Sequence, residues 1–139
     1  MDMTLSVVNG LVNYVRSVTA GMEEEMGVVD LEVGDELTTV IILVKSRVPA
    51  LAELPLLLTW DEVSGWALRV GTGDDGDTTP LAYLGEDVLP HPRTVQEFLR
   101  EALRGASPGR VTSPAFRVPN ARDGLEQRLE RLPGEGESR

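Results

Sequence analysis

Residues 56–70 read LLLTWDEVSGWALRV, and this stretch predicts a β-hairpin. The runs Leu56–Trp60 and Trp66–Val70 are rich in apolar and aromatic residues, as strands are, and five residues of loop composition separate them. If the loop closes symmetrically, Trp60 and Trp66 face each other across the hairpin. They are the only two tryptophans of the chain, and an aromatic pair at that position fixes one strand register.

The strand before this hairpin, Leu37–Lys45, is highly apolar because its centre, residues 40–44, has no polar side chain. A strand of this kind lies in the middle of a sheet, and we expect it to be covered on both faces. Alternation divides the apolar side chains into two sets: Val40, Ile42 and Val44 on one face, and Ile41, Leu43 and the next strand's Leu57 on the other. Two helices on an antiparallel sheet commonly cover one face. The second face therefore needs another cover. The candidates are a second copy of the chain, Phe116 and Val118 of the tail, the two helices divided between the faces, or a partner protein.

Two further strands are predicted, one before and one after these three in the sequence. One spans Val28–Val33, where apolar and acidic residues alternate, and the Gly34-Asp35 pair that follows supplies a turn. The other spans Leu81–Leu84, and Pro80 is expected as its opening residue, because a proline is tolerated at the start of a strand or on an edge.

Two helices are predicted from apolar residues at three- and four-residue steps. The first spans Leu5–Ala20, with Thr4 or Ser6 as its cap, and its apolar stripe is Leu5, Val8, Leu11, Val12, Val15 and Val18. The second begins with Pro92 in its first turn and stops at Gly105; its stripe is Val95, Phe98, Leu99, Ala102 and Leu103.

These elements predict an α+β domain in residues 1–105. Its centre is a mainly antiparallel five-stranded sheet, flanked by an N-terminal and a C-terminal helix in the order α-β-β-β-β-β-α. Residues 106–139 are rich in Pro, Gly and Arg, and they predict an extended polar tail with a short helix near residues 123–132. A length of 139 residues fits one domain with such an extension.

The composition excludes several classes of partner. The net charge is −10, and residues 1–104 carry seven Lys/Arg against eighteen Asp/Glu, so the folded domain is expected to repel nucleic acid and to suit basic proteins. No apolar run is long enough to span a bilayer, and we expect no membrane. The N-terminus lacks a signal-peptide pattern, which favours the cytoplasm, and without cysteine there are no disulfides.

The motifs that carry chemistry are weak. Residues 71–76 match the G-x-G-x-x-G of dinucleotide sites, but two aspartates occupy the phosphate position and no helix follows. The aspartates of this loop miss the EF-hand spacing, which indicates a solvated acidic loop. His91 is the sole histidine, and we interpret it as a turn residue or helix cap. Adjacent acids such as Asp61 and Glu62 are expected by chance among 23 acidic residues, so they do not indicate an acid–base pair. We therefore expect no catalytic residue, cofactor or metal, and no enzymatic activity.

Several segments carry a resemblance to a known family: Tyr14-Val15, Leu57-Leu58-Thr59-Trp60-Asp61-Glu62, Gly65-Trp66-Ala67-Leu68, Ala82-Tyr83-Leu84-Gly85, Val88-Leu89-Pro90-His91-Pro92 and Val95 to Leu99. Over most of residues 10–104 the chain resembles a domain family of unknown function found mainly in actinobacteria. The resemblance supplies no catalytic residue. The order of elements is also similar, as a fold alone, to small acidic secretion chaperones, which dimerise and bind extended segments of other proteins.

The hypothesis that follows is a non-enzymatic protein-interaction module, adaptor or chaperone-like, that forms a homo-oligomer, most simply a homodimer; its protein partner is unknown. The residues predicted to bind partners are Ile41, Leu43, Leu57, Trp60, Trp66, Tyr83, Phe116 and Val118. Two alternatives stay open. One is a small-molecule sensor or enzyme with a groove near Trp60, Trp66 and Tyr83, and the other is a subunit of a larger assembly that docks through its tail.

Overall fold

The structure is a computed structural model, and it describes residues 4–33, 38–45, 54–71, 77–106, 109–110, 115–116 and 124–130. The elements in these ranges are α1 (Leu5–Thr19), β1 (Met26–Val33), β2 (Thr38–Val44), β3 (Leu56–Asp61), β4 (Gly65–Gly71), β5 (Thr78–Tyr83), α2 (Pro92–Leu103) and α3 (Leu125–Glu130). One helix precedes a five-stranded antiparallel sheet and another follows it, which confirms the predicted α+β class.

The sheet is a meander in which every strand pairs antiparallel with its neighbour in sequence, in the order β1-β2-β3-β4-β5. The β3–β4 hairpin has the predicted register, because Trp60 lies opposite Trp66 and Leu56 lies opposite Val70. β2 pairs with β1 on one side and with β3 on the other, so its predicted central position is confirmed. The register then decides which side chains share a face of the sheet.

Alternation along the strands gives the sheet one face whose centre is buried. Val40, Ile42 and Val44 of β2 are at most 1% exposed, and α1, α2 and α3 all add side chains to the same core cluster. The expectation that β2 is covered on both faces is not met by the described part of the chain, because Leu43 is 40% exposed on the opposite face. The three described helices form one layer, and this layer covers only one face of the sheet.

The first helix uses a different apolar stripe from the predicted one. Thr4 caps α1 as expected, with its hydroxyl accepting a hydrogen bond from the Val7 N–H at 3.3 Å. The buried residues are Val7, Gly10, Leu11, Tyr14, Val15 and Val18, whereas Leu5 is 75% exposed. Because valines occur all round this helix, two overlapping stripes fit the sequence, and the large side chain of Tyr14 decides which of them faces the core.

The second helix begins as predicted. His91 is its N-cap, and its Nδ1 atom accepts a hydrogen bond from the Arg93 N–H at 3.1 Å, while Pro92 occupies the first turn. The buried stripe is Val95, Phe98, Leu99 and Ala102. Gln96 fastens this helix to the end of α1 by donating to the carbonyls of Val18 and Ala20 at 2.9 and 3.0 Å.

Part of the predicted tail joins the core. Leu125 and Leu129 of α3 are 2% and 0% exposed, and α3 packs on α1. The Arg128 guanidinium binds the Asp87 carboxylate through two hydrogen bonds of 2.7 and 3.2 Å, and it holds the pKa of that carboxyl below its usual range. Among the helices of the described ranges, none is long and apolar enough to cross a membrane.

The two edge strands differ from their predicted limits. β1 begins at Met26, two residues early, and it contains a register irregularity before Val29. β5 begins at Thr78, so Pro80 lies inside the strand opposite Arg69 and does not open it. A proline is tolerated there because an edge strand has one side that needs no N–H donor.

Aromatic side chains join α1, the hairpin and the segment before α2. The Trp66 indole donates to the Tyr14 hydroxyl at 3.0 Å, and that hydroxyl donates to the Pro90 carbonyl at 2.5 Å. The Trp60 indole donates to the Val88 carbonyl at 2.6 Å. Every polar atom in this group therefore has a partner inside the core, where an unpaired one is costly.

Replacing Tyr14 by Phe removes both hydrogen bonds of its hydroxyl and leaves a buried indole N–H and a carbonyl unpaired. We expect the free energy of unfolding to fall by about 1–3 kcal/mol. Burial raises the pKa of Tyr14 well above its ordinary value of 10.0, so its stabilising contribution is complete below pH 10 and is lost as the pH rises through the folded-state value. Urea unfolding above and below pH 10 should therefore show a smaller loss of stability at high pH for Tyr14→Phe than for the unaltered chain. If Tyr14→Phe and the unaltered chain lose the same stability between these pH values, the Tyr14 hydroxyl is not buried in solution.

The membership of α3 in the core is tested by Leu129→Ala, which deletes a fully buried side chain. The expected loss is about 2–5 kcal/mol of unfolding free energy. The exposed neighbour Gln127 supplies the control Gln127→Ala, for which thermal unfolding should detect a change within about 0.5 kcal/mol. Equal, small effects of both substitutions would show that α3 does not pack on the domain in solution.

Candidate functional site

The candidate site is the side of the sheet that faces away from the helix layer, which we name the open face. The register places three apolar side chains on it, Ile41 and Leu43 of β2 and Leu57 of β3, with Leu43 directly opposite Leu57. Thr39, Thr59, Ala67 and Tyr83 share the face. Ile41 and Leu57 are half-buried by their neighbours on the sheet, and Leu43 is 40% exposed.

Charged side chains border this apolar centre on both sides. On β1, Asp30 lies opposite Ile41 and Glu32 lies opposite Thr39, and both carboxylates are exposed. On β4, Arg69 lies opposite Leu57, and its Nε donates to the Thr78 hydroxyl at 2.7 Å. The open face thus has an acidic border at β1, an apolar centre on β2 and β3, and a cation on β4.

The structure separates the aromatic residues that the sequence grouped. Trp60 and Trp66 are 1% and 0% exposed and lie in the core under the helices. Tyr83 pairs with Ala67, the neighbour of Trp66, and so lies on the open face, half-buried. Because the tryptophans and Tyr83 are on opposite faces, they line no common groove in this structure, and the tryptophans offer no surface to a partner.

The tail residues of the predicted set lie elsewhere. Phe116 is 36% exposed at the end of the β3–β4 hairpin, where its N–H donates to the Val63 carbonyl at 2.9 Å. Its ring packs against Gly65, whose φ of +74° favours glycine and whose hydrogen faces the Asp87 carbonyl. Val118 lies outside the described residues. The structure therefore places Ile41, Leu43, Leu57 and Tyr83 on one face of the sheet, and it leaves the other described members of the set elsewhere.

The acidic pair of the hairpin loop has structural roles. One Asp61 oxygen accepts hydrogen bonds from the N–H groups of Val63 and Ser64 at 2.8 and 2.6 Å and so shapes the turn. Glu62 is 0% exposed, and its carboxylate accepts from the Thr38 N–H at 3.0 Å, which ties the loop to the start of β2. The sequence gives no sign that this carboxylate is buried, because Glu is among the residues most often found on surfaces.

Glu62→Ala should therefore destabilise the domain without touching the open face. It leaves the Thr38 N–H unpaired in a buried position, and we expect a loss of about 1–3 kcal/mol in chemical denaturation. The exposed acid Glu86 provides the comparison Glu86→Ala, with an expected change within about 0.5 kcal/mol. If the two variants unfold at the same denaturant concentration, the Glu62 contact is not formed in solution.

A second surface was not found from the sequence. An apolar groove of about 350 Å³, which we name the edge groove, lies between α1 and β1 on the helix side of the sheet. It is lined by Leu11, Val12, Val15, Arg16, Thr19, Val29, Leu31 and Val40. Val29 is 42% exposed there. The available signal was the alternation of Val29 and Leu31 with Asp30 and Glu32, but the sequence does not tell that α1 stops short of covering this strand.

Most of the loop with the glycine pattern cannot be placed on either surface. Its residues 72–76, with Asp74 and Asp75, lie outside the described residues, and Asp77 is exposed. In the part of the chain that the structure describes, no group of three or more His, Cys, Asp or Glu side chains is placed to hold a metal ion.

One comparison with known proteins gives a match. The model of a family described as "Family of unknown function (DUF6292)" matches residues 14–101. The chain belongs to this family. No curated protein and no solved structure matches the chain. The DUF6292 match covers all five strands and starts at Tyr14, the residue that links α1 to the hairpin; α3 lies beyond it.

The DUF6292 range thus contains the open face and the strand β1 of the edge groove. It also contains the Trp60-Asp61-Glu62 segment, whose side chains are accounted for by core and turn contacts. The open face, with its apolar centre and charged borders, is left at the surface of the matched region.

Proposed function

We propose that this DUF6292 protein is a non-enzymatic protein-interaction module, adaptor or chaperone-like, that works as a homodimer joined through the open face. The observation that carries the proposal is the row Ile41, Leu43 and Leu57 at the centre of a sheet whose opposite face is covered at its centre by the helices. Apolar side chains at the centre of a sheet face are stabilised when a second layer packs on them. Burying this row would contribute about 25 cal/mol per Å² of apolar surface removed from water.

The strand order favours a second copy as that layer. A two-fold axis along the seam between β2 and β3 places Leu43 and Leu57 of each copy over the same pair of the other. The same axis lays β1 of one copy across β4 of the other, so Asp30 and Glu32 approach the partner copy's β4, which carries the cation of Arg69. Since the chain is acidic overall, a cation on this face favours a defined arrangement of the two copies.

The other hypotheses find less support. A small-molecule groove near Trp60, Trp66 and Tyr83 would need these side chains on one surface, whereas the tryptophans are in the core. Docking through the tail would need a tail free of the domain, whereas Leu125 and Leu129 are buried in it. A chaperone-like role, a cytoplasmic location and an actinobacterial source stay predictions from the sequence.

The dimer is tested by Leu43→Asp, which puts a carboxylate at the centre of the open face. Burial of two such charges in the interface should raise the dimer dissociation constant by about a hundredfold or more. Light scattering at micromolar concentration should report a dimer for the unaltered chain and a monomer for the variant. Circular dichroism checks that both remain folded.

Leu5→Asp is the matched control, because it makes the same chemical change at a leucine that is 75% exposed on α1. It should leave the mass of the dimer unchanged. A folded, fully stable monomer of the unaltered chain, or a Leu43→Asp variant that dimerises as well as Leu5→Asp, would overturn the proposed dimer.

A further inference from the structure

We propose that the edge of β1, which is unpaired within the described ranges, and the edge groove bind an extended polypeptide segment in which basic and apolar residues alternate. This inference deepens the proposed function, because it names the class of polypeptide that the module takes. The surface it uses comprises the outer edge of β1, the edge groove on the helix side, and the acidic border of the open face formed by Asp30 and Glu32. The apolar centre of the open face is not part of it.

The two edges of the sheet are unlike each other. At β5, Arg110 forms a bridge with Tyr83 through hydrogen bonds of 2.7 and 2.8 Å, and Pro80 has no N–H to offer. At β1, an eight-residue strand, β2 is the sole pairing strand within the described ranges. An uncovered edge presents backbone N–H and C=O groups that an extended chain pairs with as an additional strand. The structure therefore favours strand addition at β1 and opposes it at β5.

The edge groove determines what side chains such a strand carries toward the helices. Alternate residues of an added strand would project beside Val29 and Leu31, into space lined mainly by aliphatic side chains. Val29 is already 42% exposed there, so an apolar residue would gain contacts and remove apolar surface from water. Six of the eight lining residues are aliphatic, which favours apolar side chains on this side of the added strand.

The side of β1 that belongs to the open face determines which residues fit at the intervening positions of the added strand. Asp30 and Glu32 are exposed, two positions apart, and point to the open face. Residues of an added strand on that side would lie next to these carboxylates, where opposite charges attract and like charges repel. Arginine or lysine fits there. Basic residues on one side and apolar residues on the other give strict alternation.

The same charges exclude a second copy as the added strand. If β1 paired with β1 of another chain, Asp30 and Glu32 would meet the same two carboxylates, because side chains on one face of a pair stay on that face. Charged residues on an edge strand are a common obstacle to pairing between copies. With a basic partner strand, the same two carboxylates form favourable contacts between opposite charges.

The test is fluorescence anisotropy with the full-length chain and an eight-residue peptide of alternating arginine and valine, matched to the length of β1. We expect saturable binding that weakens with salt, and no binding of an alternating glutamate–valine peptide. A third peptide has the same composition with the arginines in one block and the valines in another. If it binds equally well, charge alone explains the binding and the inference is wrong.

Backbone pairing is tested by methylating alternate peptide nitrogens, because a strand points successive N–H groups to opposite edges. Methylation of one alternate set should abolish binding, and methylation of the other set should leave it intact. Equal affinity of the two methylated peptides would show that no strand is added, and would overturn the inference.

The protein side is tested by the double substitution Asp30→Lys with Glu32→Lys, which should weaken binding by about tenfold or more through charge reversal. Glu86→Lys with Glu97→Lys makes the same change of net charge at exposed positions elsewhere and should have a much smaller effect. Val29→Asp, on the groove side, should weaken binding without changing the dimer. Equal affinities of all these variants would place the peptide elsewhere.

The two proposals fail separately. A dimer that does not bind the alternating peptide overturns this inference and leaves the dimer standing. A monomer that binds it overturns the dimer and leaves the edge site standing. The variant Leu43→Asp, monomeric if the dimer is correct, should still bind the peptide, because Leu43 lies on β2 and lines neither the edge groove nor the outer edge of β1.

Discussion

Two indole N–H groups must find acceptors inside this core, and the way they do so organises the domain. The Trp66 indole donates a hydrogen bond to the Tyr14 hydroxyl, and that hydroxyl donates to the Pro90 carbonyl. The Trp60 indole donates to the Val88 carbonyl. These bonds join a helix, a hairpin and the segment that leads into α2, so three distant parts of the sequence are fixed relative to one another. The helix layer is thereby held on one face of the sheet, and the character of the other face follows from that placement.

The sheet is wider than the layer that covers it. The helices bury the centre of one face, but α1 leaves the edge groove beside β1, and the open face keeps an apolar centre between charged borders. Both uncovered regions arise from one geometric cause, a five-stranded meander whose three described helices all lie on one side. Each has its own chemistry: the open face is apolar at its centre, and the β1 edge combines backbone groups, aliphatic side chains and carboxylates.

The strands and the hairpin register could be predicted because local patterns determine them: the two tryptophans and the short loop between them leave little freedom at residues 60–66. The structure shortens the predicted five-residue loop to residues 62–64, because Asp61 pairs with Gly65. The apolar stripe of α1 could not, because valines around the helix allow two faces, and contact between Tyr14 and Trp66 selects one. The positions of the tryptophans relative to Tyr83 depend on which face the helices cover, a long-range property. The burial of Glu62 and the edge groove likewise depend on contacts between elements far apart in the sequence.

The closed edge at β5 limits how copies of this chain can grow into larger structures. Open-ended polymers form when one side of a molecule fits a different side of the next copy, and sheets do so by joining opposite edges. Here Gly109, with a φ of +74°, lets the chain lie so close to Tyr83 that Arg110 occupies the backbone groups of that residue. Propagation from β1 of one molecule to β5 of the next is therefore opposed at Tyr83 and Pro80, which disfavours fibres built by joining opposite edges of the sheet.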